Sequence, residues 1–387
     1  MDDAFDRWSG AGLSRRAWLA LAGAATLPGP ARAQAPDGLA LPRDLGSHDD
    51  FQTEWWYVTG HARSAGRDFG FQVTFFRRRV AETAGLSSRF AARQLLFAHG
   101  ALSDLRGRRL WHDQRIARWS GRPMDAPGSA DTADASAADT AVRIGDWSLV
   151  REPGAAGGAR YRARVRNADF ALDLDLRETQ PLLLQGDSVL QGDSAVSRKG
   201  PEAAQVSYYY TVPQLAVTGS VQLGRERFAL ETPTARSGAA WLDHEWSESP
   251  MHPDVVGWDW LGINLIDGSA LTAFRLRRAD GSALWAGGSF RVAGGTVQRF
   301  ANDAVRFAAG RTWRSPQTGA RYPMVWDIAT PAGAFTLHTL MDEQELDSRG
   351  STGAVYWEGL SELRDAAGTP RGRGYLEMTG YVAPLRL

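Results

Sequence analysis

Along most of the chain, apolar and polar residues alternate with a period of two, the pattern of strands that turn one face to a core. "DFGFQVTFFRRR", from Asp68 to Arg79, reads as one such strand, entered through a turn at Ser64 to Arg67. Arg160 to Glu178 reads as two strands joined at Asn167 to Asp169. In the second of these, Phe170, Leu172, Leu174 and Leu176 share one face while Asp173 and Asp175 take the other. Thr218 to Glu231 reads as a hairpin turning near Gly224, and Ser269 to Gly295 as two strands about an Asp-Gly turn. Arg371 to Val382 supplies a further strand. Short strands at regular intervals predict an all-β sandwich or antiparallel barrel.

Three stretches depart from this pattern. Asp125 to Ala141 is built of Ala, Asp, Ser and Thr without an apolar face, which predicts a disordered loop. "QGDSVL" followed by "QGDSAV", Gln185 to Val196, reads as a duplicated turn. The N-terminus pairs Arg15 and Arg16 with an apolar run from Ala17 to Leu27 and a small-residue site at Ala31 to Ala33. This predicts a twin-arginine export signal over residues 1–33 and a periplasmic or secreted protein. The run is too short to cross a bilayer, so no integral membrane segment is expected in the mature chain.

A looser repeat joins the two halves. The segments opening at Trp56 and at Trp260 each run through a strand and a Gly-containing turn into an alternating strand that ends in arginines. Two related β-barrel modules follow, the second opening near Arg236. A length of 387 residues agrees with two domains. A net charge of zero gives no footprint for nucleic acid. The absence of cysteine removes thiolate nucleophiles, Cys-ligated metals and disulfides.

The candidate chemistry is a set of acids and histidines embedded in aromatic residues. Glu54 sits in "TEWWY", Asp243, His244 and Glu245 in "WLDHEW", Asp259 in "GWDW", and Glu358 in "YWEGL". His99 and the triplet Tyr208–Tyr210 belong with them, whereas His61, His112 and His252 read as solvated surface residues. A carboxyl walled by Trp is poorly solvated and tends to stay protonated, which suits a general acid. Aromatic faces also stabilise a developing cation. The competing reading is structural, with Glu54 paired to an arginine such as Arg77 or Arg79. On strands, Glu54, Trp56 and Val58 face opposite to Thr53, Trp55 and Tyr57, and Asp243 and Glu245 face opposite to His244 and Trp246. Both faces of the first strand carry aromatics, so alternation does not choose the inner one. "HEWSE" lacks the second histidine of a zincin, and neither a metal nor a cofactor is expected. A hydrolase is disfavoured because no Gly-x-Ser-x-Gly elbow occurs.

Several motifs together resemble a known family. "HDDFQTEWWYVTGHA", "FAHGALSD", "SYYYTVPQLAVTGSV", "WLDHEWSESP", "GWDWLGINL" and "YWEGL" are similar to the AttH and carotenoid 1,2-hydratase family of exported lipocalin-like proteins, from about Leu41 onward. The resemblance implies two tandem lipocalin-like antiparallel β-barrels, over 41–235 and 236–387, with an apolar cavity at or between them. The leading reading is an exported protein that binds a lipophilic small molecule, terpenoid or fatty-acid-like, in envelope lipid handling, with an ABC transporter permease as the partner that the resemblance implies. The alternative is a hydratase- or cyclase-type enzyme that acts by acid catalysis on an apolar alkene. The aromatic residues placed to line such a cavity are Trp55, Trp56, Tyr57, Tyr209, Trp246, Trp258 and Trp260. The hydratases of the family act by acid catalysis, and their His-x-Trp is matched by His244 and Trp246. Their Tyr and acidic residue fall roughly at Ala270 to Arg278, where Phe274, Arg275 and Leu276 stand and no carboxylate occurs. Asp259, Glu245, Asp243 or Glu54 would have to supply the proton instead.

Overall fold

The computed structural model describes residues 39–385, apart from 84, 86, 87, 89, 90, 155–157, 187–194, 249 and 250. The predicted export signal and most of the duplicated turn lie outside the described residues. The only helices among the described residues are three short 3-10 turns, and none is long and apolar enough to cross a membrane.

The first sheet begins with the meander β1 (Thr53–Ser64), β2 (Arg67–Arg79), β3 (Gln94–Asp104) and β4 (Arg109–Trp119). It continues with β5 (Ala133–Ala135), β6 (Ala141–Ile144), β7 (Trp147–Glu152), β8 (Arg160–Arg166) and β9 (Phe170–Arg177). Short β10 (Leu183–Leu184) and β11 (Val196–Arg198) precede β12 (Val206–Leu223), β13 (Glu226–Ala229) and β14 (Gly238–Ser247). The second sheet opens with β15 (Gly257–Leu265), β16 (Ala270–Arg277), β17 (Ala283–Arg291), β18 (Val297–Phe300) and β19 (Arg306–Ala309). A separate ribbon of β20 (Thr312–Arg314) and β21 (Arg321–Pro323) interrupts it. It resumes with β22 (Val325–Thr330), β23 (Gly333–Thr339), β24 (Glu345–Ser348), β25 (Ala354–Asp365) and β26 (Pro370–Met378).

Pairing is antiparallel throughout, and each sheet joins its first strand to its last, β1 to β14 and β15 to β26. The ends of the first sheet, β4 and β5–β6, meet without a hydrogen-bonded ladder. The result is two tandem lipocalin-like barrels, and the hairpins β1–β2 and β15–β16 occupy matching places in them. Because β14 is bonded to β1 and β12, the chain changes sheet after Ser247 rather than near Arg236.

The Asp125–Ala141 stretch is ordered, contrary to expectation. Ala133 and Ala135 are small enough to pack into the first core, β5 pairs with β6, and Asp134 accepts the Met124 amide at 3.0 Å. His61 is buried rather than solvated, because the face of β1 that carries it is covered by the second sheet.

Alternation places the core in three layers. One face of β1 and β14 sends Trp56, Val58, Leu242 and Trp246 into the first barrel. The second barrel is filled by Leu261, Trp326, Trp357 and Leu376. Between them Tyr57, Trp241, Trp260, Phe274, Leu360 and Tyr375 form a third cluster where the two sheets meet. Every residue of β14 is therefore buried, one set inside its own barrel and the other in this seam.

Candidate functional site

The seam brings two rows of side chains face to face. On the first sheet, register sets Thr74, Tyr57, Asp243 and Thr211 abreast across β2, β1, β14 and β12. On the second, Phe274, Trp260, Glu377 and Glu358 stand abreast across β16, β15, β26 and β25. Tyr57 meets Trp260 edge to face with ring centroids 5.3 Å apart, and Trp241 meets the same indole at 6.3 Å.

Three carboxyls in these rows are held toward their neutral form. Asp243 is pushed up to about 7 by burial, against the opposing hydrogen bonds it accepts from Thr211 (2.6 Å), Tyr209 (2.8 Å) and Trp241 (2.7 Å). Glu377 is likewise pushed up to about 7 by burial, with the Trp258 indole opposing. Glu358 is raised well above the carboxylate range, first by burial and then by Glu377 beside it. Two like charges side by side in a poorly solvated layer do not both ionise, so the pair retains a proton. Neither oxygen of Glu358 has a hydrogen-bond partner; the Tyr57 hydroxyl approaches it without closing a bond of ordinary geometry. At the Tyr209 end a cavity of about 30 Å³ is bounded by Thr272, Phe274 and Trp285, large enough for water. Next to it Glu245 is bound by Lys199 at 3.0 Å and by Ser207.

Glu54 is spent elsewhere. It lies inside the first barrel, where Oε2 accepts from Arg77 Nε at 2.8 Å and from the His48 amide at 2.9 Å. Its Oε1 is 2.8 Å from both His48 Nδ1 and His244 Nε2. Burial raises the acid, but the bonds from His244 and His48 and the Arg77 charge outweigh it and hold Glu54 well below the usual range. His244 is depressed to about 4 by burial, against Glu54, and its Nδ1 is 3.0 Å from the Tyr210 hydroxyl. His48 stacks on Trp246 at 3.7 Å. The donor atoms of His48, Glu54 and His244 lie within 4.8 Å of one another, a set that could hold a metal. They satisfy each other as hydrogen-bond partners, however, and Arg77 adds a positive charge on the same carboxylate. The arrangement fits a closed polar network better than a cation site.

Asp259 is equally committed. It points into the second barrel and is bound by Arg275 (2.7 Å), Arg277 (3.1 Å) and Tyr381 (2.8 Å).

The predicted residues thus fall into three places. Glu54, Trp56, His244 and Trp246 face the first barrel, and Asp259 the second. Trp55, Tyr57, Trp258 and Trp260 belong to the seam cluster, with Asp243 beside Tyr57 and bonded to Tyr209, and Glu245 beside Tyr209. His99 also links the sheets, with Nδ1 2.6 Å from the Tyr356 hydroxyl. Sequence reasoning missed His48 and Glu377 and left Glu358 unranked. His48 precedes the first strand, and its role appears only once Glu54 folds back toward it. Glu377 did have a signal, since alternation through "GYLEM" puts it on one face with Tyr375.

The AttH-like family matches residues 32–381 of the sequence. The chain belongs to the AttH-like family. A crystal structure of an AttH protein from Nitrosomonas europaea is 43% identical, with a TM-score of 0.75 over 90% of this chain and 98% of that one. Kievitone hydratase from Nectria haematococca has the same fold as this AttH-like chain, with a TM-score of 0.65 at 13% identity over 90% and 94% of the two chains. No curated protein matches the sequence.

Proposed function

We propose that this AttH-like protein binds a lipophilic small molecule, terpenoid or fatty-acid-like, and acts on an alkene in it by acid catalysis in the seam, as a hydratase would. One observation carries the reading: Glu358 is buried, favours its neutral form, and closes no hydrogen bond of ordinary geometry with another protein group, although the Tyr57 hydroxyl approaches it. A carboxyl so placed has its proton free for a substrate. The partly buried rings Trp55, Trp258 and Trp285 pack against the seam cluster, and an apolar molecule would enter past them.

The chemistry follows from the rows. Glu358 gives its proton to one alkene carbon, leaving a carbocation on the other. Tyr57 and Trp260 present aromatic rings to that charge. Water adds to the cation and loses a proton to a neighbouring carboxylate, Glu377 or Asp243, so that an alcohol forms and no proton is gained or lost overall. Kievitone hydratase shares the fold, which agrees with this reaction class. Export by the twin-arginine route to the periplasm is part of the same proposal.

A second reading is that of a carrier in envelope lipid handling beside an ABC transporter permease. It is favoured by an open groove of about 700 Å³ on the second barrel, lined by Val305, Phe307, Ile328 and Phe335 together with Arg306 and Asp327, and holding none of the three raised acids. Such a volume suits a small-molecule ligand. Mass spectrometry of lipophilic material co-purifying with the protein from its own cells separates the two. A precursor found with its hydrated product supports catalysis, and an unmodified lipid alone supports the carrier.

A further inference from the structure

The face of β1 that lines the seam carries Tyr57, Thr59 and His61 at alternate positions, about 7 Å apart along the strand. All three are buried. The Tyr57 hydroxyl, Thr59 Oγ1 and both ring nitrogens of His61 lack a hydrogen-bond partner of ordinary geometry. Beside them on β2, Gln72 Oε1 is also unbonded. Gly70, abreast of His61, lets the second sheet come close: a Cβ there would stand 2.8 Å from the Tyr375 hydroxyl oxygen. Buried polar atoms are nearly always bonded, so a row of exceptions along one strand face calls for a reason other than packing.

The two ends of the row differ. At the Tyr57 end stands Glu358. At the His61 end is a partly exposed ion cluster, with Arg63 2.7 Å and Arg373 3.3 Å from Asp68. The groups facing His61 are Arg373, Asp68, Arg63 and the Arg236 backbone.

We propose that this row is a proton path, returning a proton from solvent at the Asp68–Arg373 cluster to Glu358 through His61, Thr59, Tyr57 and bridging water. The inference rests on Glu358 being the acid of the seam. Each passage moves one proton and no electrons. His61 takes a proton on one ring nitrogen and releases another from the second. Water and the two hydroxyls relay it, and it ends on a Glu358 oxygen, restoring the acid consumed by a substrate, while the proton that the added water left on Glu377 or Asp243 returns to solvent. Burial lowers His61 to about 4, so the imidazole passes a proton on rather than keeping it.

The test reads exchange rather than turnover. Infrared spectra of the full chain, transferred from H2O to D2O, follow the protonated carboxyl band identified by its loss in Glu358→Gln. The path predicts that His61→Leu and Thr59→Val each slow deuteration of that band about tenfold or more, while Thr59→Ser, which keeps the hydroxyl, exchanges like the wild type. A purely structural role would loosen the seam and speed exchange, so unchanged or faster rates in folded variants overturn the path. Thr59→Val carries the test alone if His61→Leu fails to fold by near-ultraviolet circular dichroism. If Glu358→Gln removes no protonated carboxyl band, the acid reading itself fails and the path has no terminus.

Discussion

Glu358 on β25 and Glu377 on β26 are direct cross-strand partners, two carboxyls abreast on the sheet face that lines the seam, the first buried and the second half-buried, with Trp260 completing the row. Opposed like charges at such a site are unfavourable unless a proton stays between them. The fold therefore keeps an acid where the two barrels meet.

Stability should fall as pH rises through the neutral range. Asp243 and Glu377 hold protons up to about 7 in the folded protein, whereas unfolded carboxyls release theirs near 4. Between about pH 4 and 7 the native state binds more protons than the unfolded one, so this contribution is full below the window and lost across it, on the order of 4 kcal/mol for Asp243 alone. Urea midpoints measured across that range should decline in the wild type and flatten in Asp243→Asn and Glu377→Gln. A midpoint that climbs through the window in the wild type would contradict the assignment.

Glu54 gives the opposite sign. Its acid is held well below the usual range, so its contribution is present above that range and lost only in strong acid. Arg77→Met leaves a buried carboxylate without its guanidinium and should cost about 3–5 kcal/mol in denaturant unfolding. Ligand chemistry in the variants that fold should be unaffected, because the pair faces the first barrel and not the seam.

Asp259→Asn should be destabilising by a similar route, leaving Arg275 and Arg277 facing each other without their shared carboxylate, at about 3 kcal/mol or more. Calorimetric melting of Asp259→Asn beside Asp259→Ala checks this. Asn keeps an acceptor for Tyr381, so it should melt above Ala.

Chelation should leave the protein unchanged. His48 and His244 each direct a ring nitrogen to Glu54, so the cluster is complete without a cation. Dialysis against a chelator, followed by thermal melting with and without added zinc, should give coincident curves. A zinc-dependent rise in melting temperature would instead make the cluster a metal site.

The strands were legible because each buries a face, and the β8–β9 and β16–β17 hairpins fall where alternation and turn residues place them. Alternation also separated Asp243 and Glu245 from His244 and Trp246 correctly. What it could not tell was which face was inner, and for β1 and β14 the answer is both. Tyr57 and Trp56 are each buried, in different layers, and that depends on a second barrel docking from far along the chain. The acids divide for a related reason. Arg77 stands among the arginines that the sequence offers Glu54, and register pairs the two; Asp259 looks like an isolated carboxyl between tryptophans, and only register reveals its cross-strand partner Arg275. Glu377 was hidden because its neighbours Glu358 and Trp260 lie on other strands. The Asp125–Ala141 stretch misled because alanine fills a core position as readily as it appears in a loop.

The central claim is that Glu358 is the proton donor of a hydration carried out in the seam. The direct measurement is to incubate wild type, Glu358→Gln and Asp259→Asn with the lipophilic extract of the producing cells in heavy-oxygen water. Protein-bound and released products are then analysed by mass spectrometry. Wild type and folded Asp259→Asn should yield an alcohol carrying the heavy oxygen, while Glu358→Gln binds the precursor and leaves it unlabelled. Equal labelling by Glu358→Gln, or a wild type that binds its ligand and labels none of it, would contradict the claim.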